Sequence, residues 1–449
     1  MHRMPGPNER LAPLYPAHIA TVKERHDRAL AEHGFDHVVI FAGAPHTQFL
    51  DDMDYPFKVN PHFKAWVPVV DNAHCFLVYT PGKKPRVIFH QPVDYWHKPA
   101  ETPSGFWVGE VEILMIATPE EARQHIPGGG RIAFIGEHDK AFEPWGFSET
   151  NPKGLLDRLH YERAWKTEYE VECMRLANEQ GVRGHRAAEQ AFREGLSEYE
   201  IHIAYLHASQ QTEHELPYGN IIALNDHAAV LHYYHHDRHR LPEAERHSFL
   251  IDAGGSHNGY ASDITRTYSQ RTDDFQRLID AMETMQQQLV AEVKPGVDYI
   301  AIHLMAHRKV AEIIRDFGLV EGLDADGIIE RRISSTFLPH GVGHFIGLQV
   351  HDVGGFMADP RGALIDRPAG HPYLRLTRII EEGQSFTIEP GLYFIESLLA
   401  ELQASENARY VNWTRVDEFR KFGGIRIEDD VFVTSHGAEN LTRNAFAAR

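Results

Sequence analysis

Phe249-Leu250-Ile251-Asp252-Ala253-Gly254-Gly255-Ser256-His257-Asn258-Gly259-Tyr260-Ala261-Ser262-Asp263-Ile264-Thr265-Arg266-Thr267 is two strand-like runs around a turn, each run carrying one aspartate. Phe249-Leu250-Ile251 is apolar and ends on Asp252, while Ser256-His257-Asn258-Gly259 is turn chemistry. With the turn centred between His257 and Asn258, Asp252 and Asp263 are expected to face each other. Cross-strand neighbours lie about 4.5–5.5 Å apart at Cβ, close enough for both carboxylates to bind one metal ion. A slip of one residue would weaken that arrangement. The plainer alternative is that the two aspartates end strands and cap turns.

Three segments downstream offer matching chemistry. Phe337-Leu338-Pro339-His340-Gly341-Val342-Gly343-His344-Phe345-Ile346-Gly347-Leu348-Gln349-Val350-His351-Asp352 sets His340, His344 and His351 among glycines that let backbone approach a ligand. One imidazole among carboxylates selects manganese, cobalt, zinc or iron over calcium or magnesium, and a neighbouring histidine can carry protons near neutral pH. Solvated histidines on a glycine-rich loop are the alternative. Thr387-Ile388-Glu389-Pro390-Gly391 and Gly424-Ile425-Arg426-Ile427-Glu428 each end an apolar run on a glutamate, which is costly to bury unless it is paired or metal-bound. Arg426 and Glu428 share a strand face by the period of two, so a surface ion pair is the competing reading there. Together Asp252, Asp263, His344, Glu389 and Glu428 supply four carboxylates and one imidazole. That set suffices for two divalent ions and a water.

The surrounding pattern gives the fold class. Helices are expected over about Thr167–Arg193, from the capping box Ser197-Glu198-Tyr199-Glu200, over Asp273–Val293 and over Asp298–Asp316. Strands are expected at Asn220–Leu224, Phe249–Asp252, Asp263–Tyr268, Ser385–Ile388 and Ile425–Val433, and Leu399–Arg409 reads as a loop or a surface helix. Helices in one block and strands in another indicate α+β, with helices covering a curved sheet. The first 150 or so residues mix a helix at Pro16–Glu32 with strands at His37–Phe41, Cys75–Tyr79, Arg86–Phe89, Val111–Ile116 and Ile132–Ile135, enough for a separate α/β domain.

Composition sets the outer bounds. Of 449 residues, 64 are acidic and 45 basic, so a cationic face for nucleic acid is not expected. Two cysteines make neither a disulfide framework nor a thiolate zinc site. The polar, proline-rich start (Met1–Pro16) and the lack of any long uncharged apolar run point to a cytoplasmic protein without a membrane span.

The order Asp, Asp eleven later, His, Glu, Glu resembles the creatinase/methionine-aminopeptidase ("pita-bread") metallopeptidases. DAGGSHNGYASDITRT, FLPHGVGHFIGLQVHDVGG, TIEPGLY and GGIRIEDD are similar to bacterial prolidases, the Xaa-Pro dipeptidases also known as organophosphorus acid anhydrolases. QFLDDMDYPFKVNPHFKAWVP extends the similarity to the N-terminal part, and no ligand position is substituted. The resemblance implies an N-terminal α/β domain over residues 1–158, which helps form a homodimer and closes the site, and a pita-bread catalytic domain over 159–449. It implies two divalent ions, most often manganese in the bacterial enzymes, with cobalt, zinc or iron as alternatives. Asp252 would bind one ion and His344 the other, with Asp263 and Glu428 bridging. Glu389 would take the proton of the attacking water, His351 and His232 would contact the substrate and stabilise the tetrahedral intermediate, and Arg426 would bind the dipeptide carboxylate. His340 and Tyr218 match pocket positions, and Asp52 is assigned a reach into the partner's site. His235, His236 and His239 are read as solvated loop residues. Two rival readings share the scaffold, namely aminopeptidase P, which trims longer Xaa-Pro peptides, and a non-catalytic binding module. Phosphotriester hydrolysis is the expected side activity.

Overall fold

Runs of β-branched and aromatic residues bounded by turn formers build the first sheet. The structure is a computed structural model that describes residues 5–137 and 139–448. The chain forms two compact units, one made of residues 1–173, 257–260 and 358–363 and the other of 174–256, 261–357 and 364–449. In the first, β1 (His37–Phe41), β2 (Phe76–Tyr79), β3 (Arg86–His90), β4 (Glu112–Ile116), β5 (Ile132–Ile135) and β6 (Glu149–Thr150) lie in the order β4-β3-β2-β1-β5-β6. The expected hairpin is present, with β2 and β3 antiparallel, while β5 joins β1 in parallel. Val39, Phe41, Phe76, Val78, Ile88, Phe134 and Phe142 close into a core on this sheet. Helix α1 (Tyr15–His33) buries Ile19, Val22, Ala29 and Leu30 at helical spacing and stops at Gly34, whose φ of 69° suits glycine.

The boundary between the units falls within α2 (Glu168–Arg193). In the second unit, α3 (Glu198–Ser209) starts from the expected capping box, the Ser197 hydroxyl and the Glu200 carboxylate each bonding the other's backbone N–H. The strands of this unit are β7 (Ile221–Leu224), β8 (Ser248–Asp252) and β11 (Thr265–Ser269), while the two-residue β9 (Ser256–His257) and β10 (Tyr260–Ala261) flank the turn within 257–260, which is grouped with the first unit. Helices α4 (Asp274–Ala291) and α5 (Tyr299–Asp316) are capped by Asp273 and Asp298. After them come β12 (Ser385–Ile388), β13 (Gly391–Tyr393), β14 (Gly424–Arg426), β15 (Asp429–Thr434) and β16 (Gly437–Asn440), in small sheets β11-β8-β7, β12-β15-β16 and β13-β14. This is the α+β organisation expected.

Two local readings change, and the helix alternative for a third segment holds. The run Ile425–Val433 is two strands, because β14 pairs with β13 and β15 with β12; between them Glu428 bridges to Thr265. Leu399–Arg409 begins inside a helix, Glu396–Ala404, with Leu399 and Leu402 buried. The register of the opening hairpin also differs: Asp252 faces Thr265, not Asp263. Asn258 and Gly259 both have positive φ, 51° and 85°, the signature of a two-residue type I′ turn. That turn moves the hairpin centre one residue along and every pairing by two. Parity survives, because Asp263 lies two residues from Thr265 and so keeps the face of Asp252.

Candidate metal centre

Backbone pairing brings the predicted residues together from four segments of the second unit. β8 and β11 supply Asp252 and the approach to Asp263. His344 arrives on a segment laid along β12, with the Thr387 N–H donating to the His344 carbonyl at 2.9 Å and the Glu389 N–H to Val342 at 2.9 Å. Gly343, with φ of 153°, lets that segment lie so close that a Cβ would collide with the Thr387 carbonyl and the Tyr299 hydroxyl. Glu428 enters at the break between β14 and β15, its N–H donating to the Thr265 carbonyl at 3.1 Å.

Asp263, His344 and Glu428 are all buried, and each offers a ligand atom within 4.8 Å of the other two. His344 Nε2 stands 3.4 Å from Asp263 Oδ2, 3.8 Å from Glu389 Oε1 and 4.0 Å from Glu428 Oε1. Its Nδ1 donates to the Phe345 carbonyl at 2.9 Å, which leaves Nε2 turned toward the carboxylates as the ligand atom. Asp252 joins through shared partners. The Tyr218 hydroxyl lies 2.8 Å from Asp252 Oδ1 and 2.6 Å from Asp263 Oδ1, and Arg426 Nη2 donates to Asp252 Oδ2 at 2.7 Å.

The electrostatics show what this donor set lacks. Burial pushes Asp252 up to about 6 and Glu389 up to about 7. Glu428 is held well above its ordinary value by burial and then by the charges of Asp263, Glu389 and Asp252. Asp263 is net lowered although burial opposes it, because His344 bonds to it. His344 rises to about 9 against its own burial, drawn up by Asp263 and Glu389. Four carboxylates gathered so closely need positive charge to ionise together. Glu428 Oε2 accepts from the Thr265 hydroxyl at 2.8 Å, whereas the buried Oε1 has no hydrogen-bond partner. An orphaned carboxylate oxygen 4.0 Å from His344 Nε2 fits a divalent ion that would take the place of the imidazole proton.

The other predicted residues lie at varying remove. The His351 ring packs at right angles to that of His344, 4.4 Å between centres, and is lowered to about 4 by burial and then by His344. His340 donates from Nδ1 to the Gly341 carbonyl at 2.7 Å and accepts at Nε2 from the Tyr393 hydroxyl at 2.8 Å. Arg426 Nη1 donates to the same Tyr393 oxygen at 3.0 Å and Nε to the Thr265 hydroxyl at 3.3 Å, so its guanidinium is engaged within the site. His232 is exposed and lowered by burial of its ring and by Arg426. Asp52 sits on an exposed turn of the first unit, its N–H donating to the Asp51 carboxylate at 2.7 Å. His235 and His239 are exposed as expected, but His236 is not free, stacking on His202 at 4.3 Å and bonding to the Asn220 carbonyl at 2.9 Å.

Thr265 and Tyr393 escaped the sequence reading. Thr265 shares the strand face of Asp263, and Tyr393 ends the Glu389 motif, so strand parity and motif position were the available signals. Asp429 and Asp430, next to Glu428, serve the scaffold instead. Asp429 accepts from Arg266 at 2.6 Å, Arg443 at 2.7 Å and Gln286 at 2.9 Å, and Asp430 accepts from the Asp263 N–H at 3.1 Å and Asn178 at 2.8 Å.

Comparison with known proteins covers most of the chain. Residues 13–161 match the Xaa-Pro dipeptidase N-terminal domain and residues 172–435 match metallopeptidase family M24. The chain is 52% identical to an Xaa-Pro dipeptidase of Shewanella loihica, over 97% of this chain and 99% of that one. It is 51% identical to an Xaa-Pro dipeptidase of Stenotrophomonas maltophilia, over 97% and 98%. Among solved structures, a His361Ala form of Escherichia coli aminopeptidase P superposes with a TM-score of 0.72 at 21% identity, covering 95% of each chain. Pseudomonas aeruginosa aminopeptidase PepP gives 0.72 at 23%, covering 99% of this chain and 96% of that one. The likeness to these two structures is one of fold, and it carries the pita-bread architecture expected from the sequence.

Proposed function

The chain belongs to metallopeptidase family M24, and we propose that it hydrolyses Xaa-Pro dipeptides in a metal-dependent reaction. The observation that carries this reading is the convergence of Asp263, His344 and Glu428 on one point, with Glu428 Oε1 unsatisfied. The substrate class follows from relatives about half identical along nearly their whole length.

Asp252, Asp263, His344, Glu389 and Glu428 are the residues we assign to two divalent ions, manganese being our choice. Such ions, when bound, polarise a carbonyl and lower the pKa of a water so that it becomes a nucleophile near neutral pH. Glu389, whose carboxyl burial raises to about 7 in the metal-free chain, is the residue we assign to take and return the proton of the water. Tyr218 spans Asp252 and Asp263 and holds their spacing. His351, lowered to about 4, stays a neutral donor or acceptor through the working range, and we assign it with His232 to the substrate carbonyl. Arg426 is assigned to the dipeptide carboxylate, sharing its fork with Asp252. The relay from Arg426 through Tyr393 to His340 makes one oriented wall of the pocket.

A homodimer, with residues 1–158 as the domain that forms it and Asp52 reaching the partner's site, belongs to the same proposal. So does a cytoplasmic location. Buried, unbridged Cys75 and Cys173 agree with a reducing compartment, and no helix among the described residues is long and apolar enough to cross a membrane. Hydrolysis of phosphotriesters is proposed as a side activity, since a nucleophile made for a carbonyl also reaches tetrahedral phosphorus.

Chelation followed by return of single metals tests the reading, with Ala-Pro cleavage as the signal. Failure of every metal to restore cleavage would overturn it. Ala-Pro-Ala serves as the discriminating substrate: good cleavage of the tripeptide with none of the dipeptide would assign the chain to aminopeptidase P activity instead.

A further inference from the structure

A second cluster in the same unit contains no carboxylate at all. His303 and His307 stand four residues apart on α5, hence on one face, and both are buried, at 1% and 3% exposure. His371 comes from the loop that follows Leu364. The three rings form a triangle with centres 4.8, 4.7 and 4.6 Å apart and planes inclined at 81°, 89° and 71°. Each offers a ring nitrogen within 4.8 Å of the others.

Hydrogen bonds satisfy only part of this set. His303 Nε2 and His371 Nδ1 are 2.8 Å apart, and His307 Nδ1 meets the Ser334 hydroxyl at 3.2 Å. His303 Nδ1 and His307 Nε2 are buried with no partner. The three imidazoles line a small cavity with Ser335, Leu338 and His340, with about 20 Å³ for the centre of a water-sized sphere, enough for one water.

The geometry points to an accessory transition-metal site in which His303, His307 and His371 bind one borderline divalent ion such as Zn2+, with a water from the cavity as fourth ligand. Zinc–nitrogen bonds of about 2.0–2.1 Å put tetrahedral ligand atoms about 3.3 Å apart, so the 2.8 Å pair of His303 Nε2 and His371 Nδ1 would open by about half an ångström and the third nitrogen, in a set that spans up to 4.8 Å, would close toward them. The proton state agrees. Burial and then the neighbouring imidazoles lower His303 to about 2 and His307 to about 3, which keeps both in the neutral, ligating form. Three nitrogens without carboxylate favour Zn2+, Co2+, Ni2+ or Cu2+ and disfavour Mn2+. The ion would clamp the His371 loop to α5 at a cavity that His340 also lines. This site is independent of the peptidase assignment, since it shares no ligand with it.

The full-length chain, stripped by chelator, is loaded with Zn2+ or Co2+ and dialysed, and metal per chain is counted for wild type, His371→Ala and Asp263→Asn. The expected result is that His371→Ala retains one zinc fewer than wild type. Its cobalt form should also lose the intense visible absorption of a four-coordinate nitrogen site, which Asp263→Asn keeps. Equal zinc in wild type and His371→Ala, or no such cobalt band in wild type, overturns the site. Should His371→Ala misfold, X-ray absorption of zinc-loaded wild type decides the matter. Scattering from more than one imidazole per chain supports the site, and scattering from a single imidazole overturns it.

Discussion

Asp263, His344 and Glu428 form one cluster and His303, His307 and His371 another, both inside the second unit and both rich in potential ligand atoms. They handle charge in opposite ways. In the first, carboxylates crowd each other, so Glu389 and Glu428 are pushed toward the protonated state while His344 is drawn toward the charged one. In the second, burial simply removes the charge, since a neutral imidazole is stable without a counter-ion. A carboxylate set therefore depends on a cation for its ionised form, whereas an imidazole set tolerates an empty state. With metal bound, that difference would separate a centre built around permanent charge from one that can load and unload.

Removing a carboxylate tests this contrast most strongly. Asp263→Asn or Glu428→Gln should lower Ala-Pro kcat/KM by roughly a thousandfold, about 4 kcal/mol of transition-state stabilisation. A variant within tenfold of wild type would show that the cluster is not the reaction centre. Arg426→Lys keeps the charge but loses the fork that holds Asp252 and Tyr393, and a 10- to 100-fold fall in kcat/KM is the rough expectation. Tyr218→Phe removes the hydroxyl shared by Asp252 and Asp263. About a tenfold loss of metal affinity should follow, read by metal titration of the stripped protein.

The imidazole cluster supplies the most pH-dependent effect. His303 and His307 are held below the ordinary histidine value of 6.5, so the unfolded chain binds more protons between that value and about 3. Stability is then fully present above about pH 6.5 and is lost as the pH falls below it, by at most about 1.4 kcal/mol per pH unit for each histidine. Urea midpoints of the metal-free protein measured across that range should fall less steeply in His307→Gln than in wild type. Equal slopes would mean that His307 is not held neutral by the fold.

The residues legible in the sequence were those whose neighbours in the chain already restrict them. Asp252, Glu389 and Glu428 each end an apolar run, and the capping motif before α3 is local, so all four could be read from a short window. Asn258-Gly259 was legible in principle, yet treating the turn as centred one residue earlier moved Asp252 from Thr265 to Asp263. Strand parity rescued the shared face. Thr265 and Tyr393 stand at positions that strand parity and motif order mark, but what they and His371 do there is not local. Their roles arise from contacts across long stretches of chain, such as the Thr265–Glu428 bond over 163 residues, and no periodicity encodes these. The split at Glu428 belongs to the same class, because it is decided by two different partner strands.

The type I′ turn at Asn258-Gly259 also has a kinetic meaning. It lets β8 and β11 pair through a connection of about a dozen residues, so Asp252 and Asp263 can meet on the timescale of hairpin formation, about 1–10 μs. Glu428 has to close a loop of 163 residues to reach Thr265, which costs about 2 kcal/mol more chain entropy than the hairpin. Two of the five assigned residues therefore come together locally, while the last carboxylate arrives with the global fold. A nascent chain that stops before Glu428 presents a pair of aspartates without the residue that completes the centre.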